Sequence, residues 1–230
     1  QIREVGAIDS TNPADFDSAM NDSPGAILRF EPEDYLVVGQ RKRPELVELV
    51  RLAREKSIPL IVDLGRNPLL EGLPSDGREV ISAEQALADG ASLVIVRTDG
   101  LLGGPPGALL LGKSELVEQI KHQPLAAAHR PNGMTSAALA ATLDLCQDAD
   151  HARFTVPLLS LLDTPLDNLR TRCERLAPQM LGKEIVVAEA ISLPEPASSL
   201  PRDCRLPSWG IALRPQSGDI ASLGERLRQG

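Results

Sequence analysis

Short apolar strands alternate with helical patterns through the first two thirds of this chain, an order that points to an α/β fold with a mostly parallel sheet. Ala26 to Phe30 and Tyr35 to Val38 read as strands, and Pro44 to Ser57 reads as an amphipathic helix with proline in its first turn. Pro59 to Val62 is a buried-type strand that ends on Asp63. Ser82 caps a short helix that Gly90 ends, and Leu93 to Val96 is the next strand. Gly107 to Leu111 follows through a tight glycine and proline turn, so this pair is expected to be antiparallel. Ser114 is expected to cap a helix over Glu115 to Lys121, and Met134 to Leu145 is an alanine-rich helix.

Asp148 to Phe154 is a polar break, which divides the chain into residues 1–147, part of a large domain, and 148–230, part of a small C-terminal α/β domain. In the second, Pro165 to Leu181 and Ile220 to Arg228 read as helices, with strands at Glu184 to Ala188 and Trp209 to Leu213. The proline-rich stretch Leu193 to Pro207 joins the strands. A length of 230 residues allows a proper core, which must be built from aliphatic residues because only 2% are aromatic. That scarcity, with 32 acidic against 24 basic residues, argues against a surface that tracks phosphates or stacks bases. Three scattered cysteines without a CxxC pair indicate neither a disulfide framework nor a zinc site, so a cytoplasmic setting is expected. No apolar run reaches membrane-spanning length. The chain opens on Gln1 with a strand soon after, and reads as a fragment.

Candidate chemistry gathers at two strand ends. Asp63 stands at the carboxyl end of an apolar strand, where open parallel sheets place ligands, and is either a ligand-facing carboxylate or a loop cap. The run Val94 to Gly112, VIVRTDGLLGGPPGALLLG, joins a strand, a polar turn, a glycine-rich corner and a second strand. Within it Asp99 is a reacting carboxylate or a turn-forming residue, and Gly100 reads as a turn glycine tolerating a positive φ. Gly103-Gly104 and Gly107 do not make the dinucleotide fingerprint and no Walker lysine follows, which disfavours an unrelated nucleotide-binding α/β module. His122, His129 and His151 lack metal-ligand spacing.

Several segments taken together resemble bacterial selenocysteine synthase, the L-seryl-tRNA(Sec) selenium transferase family. These are Ile2 to Gly6 (IREVG), Ile58 to Gly65 (IPLIVDLG), Glu84 to Ser92 (EQALADGAS), Leu101 to Pro105 (LLGGP), Leu111 to Lys113 and Gly133 to Leu143 (GMTSAALAATL). The resemblance implies a fold-type I pyridoxal phosphate transferase scaffold. It makes Asp63 the partner of the cofactor's ring nitrogen, with Gly103 and Gly104 at the cofactor and Asp99 assisting catalysis. It implies assembly of subunits as a homo- or hetero-oligomer. The family's tRNA-binding module and phosphate-cradling loop have no counterpart in these residues, so the segment does not support tRNA binding.

The departures from the family pattern fall on chemical positions. The lysine that holds pyridoxal phosphate directly precedes LLGGP in the family, and here that position is Gly100. A Schiff base needs a primary amine, and glycine has none. Of the lysines present, Lys113 lies a strand's length from the corner, Lys42 reads as part of a charged loop, Lys56 and Lys121 fall near helix ends, and Lys183 falls in the second unit. Arg97-Thr98 replaces a small Ser-Gly pair. One anion-binding arginine has become Ala127, while the other persists as Arg130, which is a surface charge or holds an anion. An Asp-Lys pair has become Asn132-Gly133, and a histidine is missing around Arg29 to Tyr35 although Tyr35 remains. The expected function is therefore a selenocysteine-synthase-like protein with impaired or no transferase activity. The alternative is a transferase that holds its cofactor without a covalent bond.

Overall fold

A computed structural model describes residues 2–7, 10–31, 42–72, 81–182, 185–193, 207–215 and 220–229. Tyr35, its expected strand and Lys183 lie outside these residues. The contacts divide the chain into two units, the first running to Leu162 and the second from Asp163 onward.

The first unit is organised on a four-stranded sheet ordered β1 (Ile27–Phe30), β2 (Leu60–Asp63), β3 (Leu93–Arg97), β4 (Ala108–Gly112). The first three strands are parallel, with Phe30 beside Asp63 and Asp63 beside Ile95. Between β1 and β2 runs α2 (Leu46–Glu55), whose Leu46, Leu49, Val50 and Ala53 repeat at helical spacing and are buried. They pack with Leu60 and Val62 of β2 and Val94 and Val96 of β3 into one aliphatic core. Burying each such leucine or valine side chain stabilises the fold by about 1.5–3 kcal/mol. α3 (Ala83–Ala88) leads into β3, and Ser82 caps it by accepting from the Gln85 N–H at 3.0 Å. Gly90 leaves the helix at φ 111°, as expected of a helix stop. An additional helix, α1 (Pro13–Ala19), opens after Asn12, whose N–H donates to Asp15 Oδ2.

β4 returns antiparallel to β3, as the short connection required, with Arg97 opposite Ala108 and Leu93 opposite Gly112. The helix after it, α4 (Ser114–Lys121), begins one residue earlier than expected. Ser114 is its first residue, Lys113 occupies the cap position, and no side chain caps the turn. A short helix, α5 (Pro124–Ala128), precedes α6 (Gly133–Leu145). The segment expected to be a polar break is instead α7 (Ala149–Thr155), capped by Asp148, followed by α8 (Pro157–Leu162). Ala152, Val156 and Leu159 pack with Leu102 and Cys146 in a second cluster, so these helices belong to the first unit and the division falls after Leu162.

In the second unit α9 (Leu166–Leu176) continues as a 3-10 turn over Ala177–Met180. A two-stranded antiparallel sheet pairs β5 (Ile185–Leu193) with β6 (Ser208–Pro215), and α10 (Ile220–Gln229) follows. The Arg170 guanidinium lies 5.4 Å from the centre of the Trp209 ring and ties α9 to β6.

Gly112 joins β4 to α4 at φ 141°, and a Cβ there would lie 2.3 Å from the Ser92 carbonyl oxygen. Gly112→Ala is expected to destabilise the protein by more than about 2 kcal/mol, read as a lower urea midpoint.

Candidate functional site

Hydrogen bonding between β2 and β3 runs past the end of β2. The Leu64 N–H donates to Ile95 O at 2.9 Å, and the Arg97 N–H donates to Gly65 O at 2.6 Å. Gly65 adopts φ 55°, and its N–H turns back to donate to Asp63 Oδ1 at 3.0 Å. Asp63 thus closes the turn after its own strand. On its other side the Glu31 N–H donates to Asp63 O, while the Glu31 carboxylate accepts from Arg29 at 2.7 Å and Arg43 at 2.6 Å.

This continuation carries residue 66 to the β3–β4 corner. A Cβ at position 100 would lie 2.6 Å from Cβ, 2.8 Å from Cγ and 3.0 Å from Cα of Arg66. Gly100 is not among the glycines at positive φ, which corrects its reading as a conformational turn glycine. The lack of a side chain answers to space rather than to backbone angle. Arg66 is the residue that sequence reasoning missed. Its only signal was a long side chain directly after the Asp-Leu-Gly match.

Next to the corner, Arg97 grips Asp99 as a fork, Nε to Oδ1 at 3.0 Å and Nη2 to Oδ2 at 2.8 Å. The Arg97 hydrogen bonds hold the Asp99 carboxyl below its ordinary value of 3.8, against a smaller opposing effect of burial, with the charges of Arg97 and Arg66 adding to the lowering. Thr98 is fully buried. Its N–H donates to Gly107 O, its hydroxyl to Pro105 O, and its carbonyl accepts from the Gly104 N–H. Gly103 has φ 71° and donates to Gly100 O at 3.0 Å, while its missing Cβ faces Val156 Cγ1 at 2.8 Å. A Cβ on Gly104 would lie 3.1 Å from Thr98 O. Both glycines are accounted for by the hairpin's own turn and packing.

The remaining candidates lie apart from this cluster. Arg130 is exposed between α5 and α6, without a hydrogen bond or ion pair among the described residues. Asn132 caps α6 by accepting from the Thr135 N–H at 2.9 Å, and Ala127 is exposed. Lys113 donates through its backbone to Ser92 O at the amino end of β3, the opposite end of the sheet from Gly100. Lys56 ends α2 and pairs with Asp17, and Lys121 pairs with Glu118. Among the described residues no cluster of histidine, cysteine and carboxylate side chains is arranged to hold a metal, and no helix is long and apolar enough to cross a membrane.

Because Asp99 is held more acidic in the folded chain, its contribution to stability is present above the unfolded value and is lost as pH falls through the folded one. NMR titration of its carboxyl is expected to show a midpoint below 3.8. Arg97→Gln is expected to raise that midpoint, and an unchanged midpoint would remove Arg97 as its cause.

A pyridoxal phosphate tethered at position 100 does not fit these residues, since the amine is missing and its stem would run into Arg66. The framework nonetheless has close relatives. A curated L-seryl-tRNA(Sec) selenium transferase of Klebsiella pneumoniae is 33% identical over 95% of this chain and 48% of its own length. That of Nitratidesulfovibrio vulgaris is 37% identical over 78% and 38%. The chain spans about half the length of the curated relatives it matches. Among solved structures, D-glucosaminate-6-phosphate ammonia-lyase superposes with a TM-score of 0.64 over 100% of this chain and 53% of that one, at 17% identity, a likeness of fold. The fold is the expected fold-type I class, α/β with a mostly parallel sheet. The family model described as L-seryl-tRNA selenium transferase matches residues 1–230, and this excludes an unrelated nucleotide-binding module: the chain belongs to that family.

Proposed function

We propose that this chain is a selenocysteine-synthase-like scaffold whose transferase activity is impaired or absent. The observation that carries the reading is Gly100 beneath Arg66, at the place where the family's cofactor lysine belongs. A Schiff base forms by attack of a neutral amine, and the same amine is suited to moving a proton at the substrate α-carbon. Among the described residues, Lys56 and Lys121 lie at helix ends, Lys113 at the far end of β4, and Lys42 is exposed in an isolated bridge to Ser10. Asp99 is held as an ionised partner of Arg97, which makes it a weak base near neutral pH.

Its working context is a homo- or hetero-oligomer in the cytoplasm. Supporting an assembly, α6 is rich in alanine and leucine yet has no buried residue, and Met134, Leu28 and Phe30 are exposed. An excess of acidic residues and few aromatics give this segment little with which to hold tRNA. The non-covalent alternative rests on Asp63, which keeps the strand-end place of the family's ring-nitrogen aspartate.

The test is to add pyridoxal phosphate to the full-length protein, reduce with borohydride, and map any modified lysine by mass spectrometry. No saturable lysine adduct is expected, and one at any lysine would overturn the reading. Saturable binding without an adduct would favour the non-covalent alternative.

A further inference from the structure

We propose that Arg66 takes the volume that any side chain at position 100 needs, so that the Arg66 and Gly100 pair, rather than the glycine alone, closes this corner to a tethered group. The inference goes beyond the missing amine, because it predicts that restoring an amine would not restore room for it.

Three observations carry it. The conflict at position 100 involves Cα, Cβ and Cγ of Arg66, at 3.0, 2.6 and 2.8 Å, and therefore the root of the side chain rather than its flexible end. A rotamer change can move the Cγ but not the other two. The backbone that carries that root is pinned on both sides. Gly65 O accepts from the Arg97 N–H, while the Asn67 N–H donates to Leu64 O at 3.1 Å and the buried Asn67 side chain donates to Ile81 O at 3.3 Å. Finally, Gly100 does not have a positive φ, so a larger residue there meets Arg66 and not an unfavourable backbone angle.

Arg66 also bears on the electrostatics of the corner. Arginine brings a cation to the neighbourhood of Asp99, and unlike lysine it stays protonated.

A double-mutant cycle on the full-length protein tests the pair, using Gly100→Ala and Arg66→Gly singly and together. With Arg66 in place, Gly100→Ala is expected to lower Tm by about 5 °C, the scale of an overpacked site in a chain of this size. In the Arg66→Gly background the same change is expected to cost less than half of that. Equal losses in the two backgrounds, or no loss with Arg66 present, would overturn the proposal. Should Gly100→Ala fail to fold, recovery of folded protein in the double variant supports the pair, and failure of both refutes it. A second arm compares Gly100→Lys with and without Arg66→Gly for borohydride-fixed pyridoxal phosphate at position 100. Capture is expected only in the double variant, and equal capture in both would refute the steric claim. The stability cycle reads packing, so it is decided independently of whether any native lysine captures the cofactor.

Discussion

The hydrogen bond from the Arg97 N–H to the Gly65 carbonyl fixes more of this molecule than its single contact suggests. It extends the parallel pairing beyond the end of β2 to the last residue of β3, so the turn after one strand lies against the turn after the other. Gly65 then sets the direction of the chain at φ 55°, and the next residue, Arg66, arrives over Gly100. In an open parallel sheet this carboxyl edge is the usual ligand ground. Here it is occupied by the protein's own side chain.

The electrostatics of that edge are satisfied internally. Both carboxylate oxygens of Asp99 accept from Arg97, one oxygen of Asp63 accepts from a backbone N–H, and Glu31 is held between Arg29 and Arg43. A general acid or base needs a proton affinity matched to the working pH, which burial or like charges ordinarily provide. Asp99 is pushed the other way, toward a permanently ionised carboxylate. The paired arrangement is that of a structural charge cluster, and the partial exposure of Arg97 and Asp99 keeps its net worth small.

The fold was legible in the sequence wherever one element's own pattern sufficed. Strand alternation gave the parallel sheet, the glycine and proline corner gave the antiparallel β4, and Ser82 and Gly90 marked the two ends of α3. The polar look of residues 148–154 hid α7 because its burial depends on Ala152 and on Val156 just beyond it, too few apolar positions to show a period. The candidate site was legible as an absence, since a missing lysine is a local fact. Its replacement was not legible, because Arg66 and Gly100 meet only through the register of two strands. Gly100 shows the cost of reading glycine from propensity alone: a turn glycine suggests positive φ, whereas here the backbone angle is ordinary and the space is not.

Scaffold and chemistry can separate in this chain because different interactions hold them. Leu49, Leu60, Val62, Val94 and Val96 are buried in one aliphatic core, and each contributes on the order of 1.5–3 kcal/mol. The strand-end charges lie beyond that core, where an exposed ion pair contributes about 0–1 kcal/mol. Exchanging side chains at positions 66, 97 and 100 therefore leaves the core's stabilisation in place, provided the exchange is sterically paired. With Arg66 in place, a side chain at 100 would press two pinned turns apart, and with them the pairing that aligns β2 with β3. The packing makes the two positions a single unit of change, because the space that a side chain at 100 would need is the space that the root of Arg66 fills.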